Sequence, residues 1–208
     1  MKTLFLPLAL MTVFAISRLP GCLPNNFSAA YALMFCAGVY FPGRLAWWLP
    51  LSVMLVTDLG INLYYQQDQG LSVFGATALV CLGANYVAYA ALIWLGRRFS
   101  SRDKLLPLLG GGLLGALLFY LLTNTAAWLF NPFHNPEYTR SLPGWFIALT
   151  KGTAGYPQTW EFFRNTMLSG GLFAGLFIGS MKLNEAVSEE PEEEPAGEEP
   201  AAGEPAQT

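Results

Sequence analysis

The chain has 208 residues, of which 53% are hydrophobic and only 12% are charged, and its formal net charge is −3. Its mean hydropathy is +0.39. Two runs without a charged side chain, residues 71–96 and 105–130, exceed the about 20 residues that a helix needs to cross ~30 Å of hydrocarbon. These features exclude a purely soluble domain and predict an integral membrane protein.

The charge is distributed unevenly along the chain. From Asn184 to the end there are nine Glu and no Lys or Arg, so residues 1–183 carry eleven basic and five acidic side chains. A tract of Glu, Pro, Ala and Gly buries too little apolar surface to offset its conformational entropy. We therefore expect a transmembrane helical domain at residues 1–183 and a disordered acidic tail at residues 184–208.

Six apolar segments follow one another, and the first two are short for a membrane span. They lie at Thr3–Ser17, Phe27–Phe41, Leu45–Tyr65, Leu71–Leu95, Leu105–Phe130 and Trp160–Leu183. The first is interpreted as a retained helix, and a cleavable signal is the alternative because a basic residue precedes a short apolar run. The fold class is therefore all-α, a polytopic bundle of about six transmembrane helices.

A long polar connection separates the last two of these segments. It extends from Asn131 to Thr159 and contains four prolines and a short amphipathic pattern at Leu142–Leu149 that indicates a helix. Connections of this length are uncommon unless they have a function. We expect this one to be a lid.

Basic residues predict the orientation, because they are retained on the cytoplasmic side near helix ends. The short connection at residues 97–104 carries four of them, and placing it in the cytoplasm also places Lys2, Arg44 and Lys182 there. Both termini are then cytoplasmic, an N-in/C-in arrangement.

Polar side chains collect in the outer half of the membrane in this orientation, whereas the cytoplasmic halves of the helices are almost purely apolar. This shared depth predicts an outward-facing polar cavity, in which Asp58 is paired with Arg18 or Arg164. The alternative is that the same groups only cross-link helices. The candidate substrate-binding residues are Arg18, Asn26, Asp58, Asn62, Asn85, Asn124, Arg164 and Asn165.

Small residues at a spacing of four favour close helix packing. They occur on the last segment as Gly171, Gly175 and Gly179, and elsewhere as the pairs Gly111/Gly115 and Ala84/Ala88. Packing within the bundle is the favoured interpretation, and docking against another subunit is the alternative.

The sequence shows no pattern typical of catalysis, metal binding or nucleic-acid binding. His134 is the single histidine, the three cysteines are scattered, and no H-E-x-x-H, G-x-S-x-G or Walker sequence is present. The basic connection at 97–104 lacks interleaved aromatic residues. We expect no enzyme activity, no catalytic residues, no metal, no cofactor and no nucleic-acid partner.

Several of the candidate substrate-binding residues lie in runs that resemble those of a known family. The runs Arg18-Leu-Pro, Asn26-Phe-Ser, Asp58-Leu, Phe119–Trp128 and Phe162–Thr166 resemble an uncharacterised family of bacterial six-helix membrane proteins, over about residues 15–183. That family is similar in length, helix count and topology to the substrate-binding S components of energy-coupling factor vitamin transporters. The resemblance implies a bacterial inner (cytoplasmic) membrane location, and a transmembrane coupling subunit with cytoplasmic ATPases as partners.

Two functions remain open from the sequence. The first is a substrate-binding membrane subunit for uptake of a small polar molecule of the vitamin or micronutrient type. The second is a membrane assembly or scaffold subunit that packs against partner helices without a small-molecule ligand.

Overall fold

The computed structural model describes residues 2–19, 21, 23–70 and 75–189, which form seven helices and no strand. Four of them, α3, α4, α5 and α7, are long and apolar enough to cross a membrane, so the chain is a multi-pass membrane protein. The helices are α1 (Lys2–Ser17), α2 (Ala30–Tyr40), α3 (Leu45–Gln69), α4 (Ala76–Gly96), α5 (Leu105–Phe130), α6 (Leu142–Thr150) and α7 (Thr159–Glu189).

Helix α2 is shorter than its apolar segment. The prediction that it begins at Phe27 is wrong, because Asn26 has a φ of +58°, which turns the chain, and the helix starts at Ala30. The Ala30 N–H donates to the hydroxyl of Ser28 at 3.1 Å. Helix α2 therefore extends only about 16 Å, roughly half the thickness of the hydrocarbon layer.

Other boundaries also differ from the predicted ones. Helix α3 continues past Tyr65 to Gln69 and is capped by Gly70, whose φ of +64° suits a glycine. The predicted start of the fourth segment at Leu71 lies outside the described residues, and α4 begins at Ala76. Helix α7 includes the first residues of the predicted tail through Glu189, helped by an ion pair from Lys182 to Glu185 at 3.2 Å.

Helix α2 is the centre of the fold. Every residue from Ala30 to Gly38 is buried. Helices α4, α5 and α7 pack around it, and α1 and α3 cover its remaining side. The hydrophobic core of the protein is thus built around one short helix that has no polar face.

The approach of α2 to α4 depends on two glycines. A Cβ placed on Gly38 would lie 2.3 Å from the carbonyl oxygen of Ile93, and one on Gly96 would lie 2.1 Å from that of Phe35. No larger side chain fits between these backbones. This close crossing fixes the depth of α2 within the bundle.

The predicted small-residue ridges also pack within the bundle. A Cβ on Gly111 would meet the ring of Phe35 at 2.5 Å, and one on Gly171 would meet Leu113 at 3.2 Å. By contrast, a Cβ on Gly179 would meet nothing within 4 Å. Intramolecular packing therefore accounts for most of these positions.

Hydrogen bonds to the connections between helices define two ends of the bundle. At one end, Arg97 donates to the carbonyl oxygen of Gly43, and Lys182 donates to that of Ser101. We call this the basic end, and its cationic residues are Arg44, Arg97, Arg98, Arg102, Lys104 and Lys182. At the opposite end, Asn165 donates to the carbonyl oxygen of Asn25, and Thr77 donates to that of Pro132.

The predicted short helix is confirmed as α6. Ser141 caps it by accepting from the Gly144 N–H at 3.2 Å. The hydroxyl of Tyr120 on α5 donates to the carbonyl oxygen of Leu149 and, at 3.4 Å, to that of Thr159. Helix α6 is thereby held against α5 at the opposite end.

Candidate functional site: a polar cavity above α2

A cavity of about 400 Å³ lies between the start of α2 and the opposite end of the bundle. It exists because α2 stops short, so the space above Ala30 is left to the connection that precedes this helix. Its lining comes from the connection at residues 17–28, from the start of α2, and from the facing sides of α3, α4 and α5.

An ion pair crosses one wall of this cavity. Arg18 Nη2 donates to Asp58 Oδ1, and the side chains are 17% and 13% exposed. Tyr86 donates to the other carboxylate oxygen at 3.1 Å, and Arg18 Nη1 lies 3.2 Å from the sulfur of Met54. Both charges are therefore compensated within the protein, as a charge at this depth requires. Of the two partners predicted for Asp58, the structure selects Arg18.

Aromatic rings form the floor. Tyr31, Tyr89 and Phe119 all line the cavity and are nearly buried. The Phe119 ring stacks on Tyr89 with centroids 5.1 Å apart, and it meets Tyr31 at 4.7 Å. A planar or apolar part of a bound molecule would find a flat contact surface here.

Four asparagines from three different elements complete the lining: Asn25 and Asn26 of the connection before α2, Asn85 of α4 and Asn124 of α5. The Asn124 NH₂ donates to the Tyr120 carbonyl of its own helix at 2.8 Å, which leaves its oxygen as an acceptor. The side chain of Asn85 makes no hydrogen bond to any described residue. These amides can both donate to and accept from a guest molecule.

Five of the eight residues predicted for the site line this cavity: Arg18, Asn26, Asp58, Asn85 and Asn124. The other three lie elsewhere. Asn62 is one turn beyond Asp58 and is not part of the lining. The guanidinium of the exposed Arg164 lies 5.6 Å from the centroid of the Trp160 ring. Asn165 binds the Asn25 backbone, which ties the connection above α2 to α7.

The predicted lid over the cavity is wrong. None of the described lining residues comes from the connection at 131–159, whereas residues 17–28 supply many of them. The 131–159 connection instead borders a separate cavity of about 440 Å³, which includes Tyr138 and Tyr156. Phe27 anchors the 17–28 connection by packing its ring edgewise on Phe173, with centroids 6.2 Å apart.

Sequence reasoning missed the tyrosines of the site. Tyr31, Tyr65 and Tyr89 line the cavity, but tyrosine is common both in cores and at membrane interfaces, so its presence alone gives no signal. The spacing of Asn85 and Tyr89 by four residues was the available indication, since it places both side chains on one face of α4.

The profile of a family of unknown function, DUF6580, matches residues 1–192. The chain belongs to this family. Neither the curated proteins nor the solved structures gave a match. No group of three or more side chains suited to a metal ion occurs in the part of the chain that the structure describes.

Proposed function

We propose that this DUF6580 protein is a substrate-binding membrane subunit that captures a small polar molecule for uptake. The observation that carries the proposal is the cavity above α2, where Arg18, Asp58 and four asparagines from three separate elements surround one space. Groups that served only to cross-link helices would have no reason to surround about 400 Å³ of open space.

The charges favour a ligand without a net charge. Asp58 is already bound by Arg18 and Tyr86, so an anion or a cation would have to replace a partner that the protein supplies. A neutral or zwitterionic molecule can instead bind the amides and the outer surface of the ion pair. The stacked rings below give such a molecule an apolar contact.

The orientation supports capture from outside the cell. Six cationic side chains lie at the basic end, and the positive-inside rule places that end in the cytoplasm. The cavity then faces outward. With α1 and α2 counted as short crossing segments, the bundle has six passages and both termini inside, in the cytoplasmic membrane of a bacterium.

The proposed partners follow from the resemblance to S components of energy-coupling factor transporters. In that arrangement a transmembrane coupling subunit and cytoplasmic ATPases release the captured molecule. Affinity purification from native membranes tests this part separately, because recovery of ATPase subunits supports it and their absence leaves a binding protein without this machinery.

Native mass spectrometry of the purified protein tests the capture itself. We expect a copurifying small molecule that is lost from Asp58→Asn and from Asn124→Ala. Asn62→Ala is the matched control, because it removes a nearby amide, one turn from Asp58, that does not line the cavity. Equal loss from all three variants, or no bound molecule in the unaltered protein, would contradict the proposal.

A scaffold subunit is the second candidate, and one observation favours it. Gly179 on α7 is exposed, with open space where a Cβ would be, so a partner helix could approach it closely. The test is Gly179→Leu, which would reduce recovery of a partner without altering bound small molecules.

A further inference from the structure

An apolar space between two helices adjoins the polar cavity. Asn85 on α4 and Thr123 on α5 line it, and they also line a second space of about 170 Å³, which we call the neck. A third space of about 650 Å³, the groove, lies on the outer surface of α4 and α5. The neck and the groove share four residues, Val80, Ala84, Ala126 and Phe130.

Polarity falls steadily along this path. The cavity holds an ion pair and amides, the neck has Asn85 and Thr123 at its inner mouth, and the groove is almost entirely aliphatic. Among the described residues that line the groove, Thr125 alone carries a hydroxyl group. Its oxygen already accepts from Trp145 Nε1 at 3.0 Å. Apart from the hydroxyl of Thr125, the described lining of the groove offers only apolar contacts.

Small side chains on α4 and α5 explain why the neck is open. Helices α4 and α5 pack closely nearer the basic end, where a Cβ on Gly115 would meet Leu92 at 3.6 Å. Towards the opposite end, the facing positions Ala84, Ala126 and Ala127 have small side chains, and they leave the gap unfilled. Adjacent helices in a well-packed bundle would close such a gap with larger side chains.

We propose that the captured molecule is a single-chain amphiphile, with its polar head in the cavity and its apolar chain passing through the neck into the groove. This inference rests on the proposed function and names the class of its substrate. The head would give the Asn85 amide the hydrogen-bond partner that the described residues do not supply. A partner helix, about 10 Å wide, would cover the groove but could not enter the neck.

The experiment extracts the full-length protein from native membranes directly into polymer-bounded nanodiscs, so that no detergent competes for the groove. Solvent extracts are then compared by mass spectrometry for the unaltered protein, Gly83→Phe and Gly110→Phe. Both glycines are exposed helical positions where an added Cβ meets nothing within 4 Å, and only Gly83 lines the groove. Size-exclusion profiles check that each variant is folded.

We expect an amphiphile enriched over bulk lipid in the unaltered protein and in Gly110→Phe. In Gly83→Phe its occupancy should fall about tenfold, the effect of a modest steric clash with the bound chain. A bound water-soluble compound that Gly83→Phe retains would overturn this inference and leave the proposed function intact. Lipid held equally by both variants would also overturn it. If no compound is enriched in the unaltered protein, both proposals fail.

Discussion

Replacing the glycines at the crossing of α2 and α4 should destabilise the protein in a way that the geometry specifies. Gly38→Ala puts a Cβ 2.3 Å from the carbonyl oxygen of Ile93. Ordinary carbon–oxygen contacts begin near ~3.3 Å, so the two helices must separate by about 1 Å. The obstacle is backbone, and it cannot rotate away as a side chain could.

The cost can be worked from the burial of α2. Overpacking a well-packed core costs about 1–3 kcal/mol, and alanine returns about 0.5–1 kcal/mol of helix propensity relative to glycine. We expect a net loss of about 1–2 kcal/mol for Gly38→Ala and a similar loss for Gly96→Ala. The double variant should lose less than the sum, because one separation of the helices relieves both clashes.

The assay is unfolding of the purified protein in mixed micelles with increasing sodium dodecyl sulfate, followed by tryptophan fluorescence. Gly60→Ala is the matched control, since it is an exposed helical glycine where an added Cβ meets nothing within 4 Å. It should be neutral or slightly stabilising. If Gly38→Ala were as stable as Gly60→Ala, or if the two crossing substitutions were additive, the close-contact argument would be refuted.

Three further predictions concern the ion pair, α6 and the orientation. Arg18→Met or Asp58→Leu alone should destabilise by about 3 kcal/mol, the lower end of the range for a buried pair, because each leaves a mostly buried charge without its partner, and the double variant should recover part of that loss. Tyr120→Phe removes the hydroxyl that holds α6, so hydrogen exchange of α6 should accelerate, with a loss of about 1 kcal/mol. In intact cells, a membrane-impermeant maleimide should label Thr153→Cys and not Ser101→Cys, in a background without the native cysteines.

Each of these three predictions has a control variant or a result that would contradict it. For the ion pair, the control Asp68→Leu removes an exposed carboxylate at the end of α3 and should leave the stability nearly unchanged. If Asp58→Leu destabilised the protein no more than Asp68→Leu, the ion pair would not contribute to stability. Tyr64→Phe alters an exposed hydroxyl and should leave α6 exchange unchanged. If the maleimide labelled Ser101→Cys and not Thr153→Cys, the bundle would have the opposite orientation in the membrane, and the uptake proposal would fail.

The long helices were predictable because each depends on the length of a mostly apolar run, which can be read directly from the sequence. An uncharged apolar run as long as 105–130 has to be a helix in lipid, since only internal hydrogen bonds can satisfy its backbone. The pairing of Asp58 with a cation followed from the same solvent argument. That argument restricted the partner to Arg18 or Arg164, and the choice needed three-dimensional distances.

The burial of α2 could not be read from its sequence. A helix from Ala30 to Tyr40 with apolar residues on all sides has the same pattern whether it faces lipid or protein, because both surroundings are apolar. Gly38 and Gly96 lie 58 positions apart in the sequence, and neither belongs to a repeated small-residue spacing. Their contact depends on the depth at which α2 begins, which the left-handed turn at Asn26 sets.

The polar lining of the cavity is a consequence of the shortness of α2. Because α2 is only about half as long as the hydrocarbon layer is thick, the connection before Ala30 has to reach down to its start. Non-helical backbone at membrane depth is tolerated only when it is buried in protein or faces a wet cavity. Asn165 and Phe173 contact one side of this connection. Its other side, at Asn26 and Ser28, lies along the cavity. If α2 were extended by two turns at its start, the connection would be lifted to the surface, and the reason for amides and an ion pair below it would disappear.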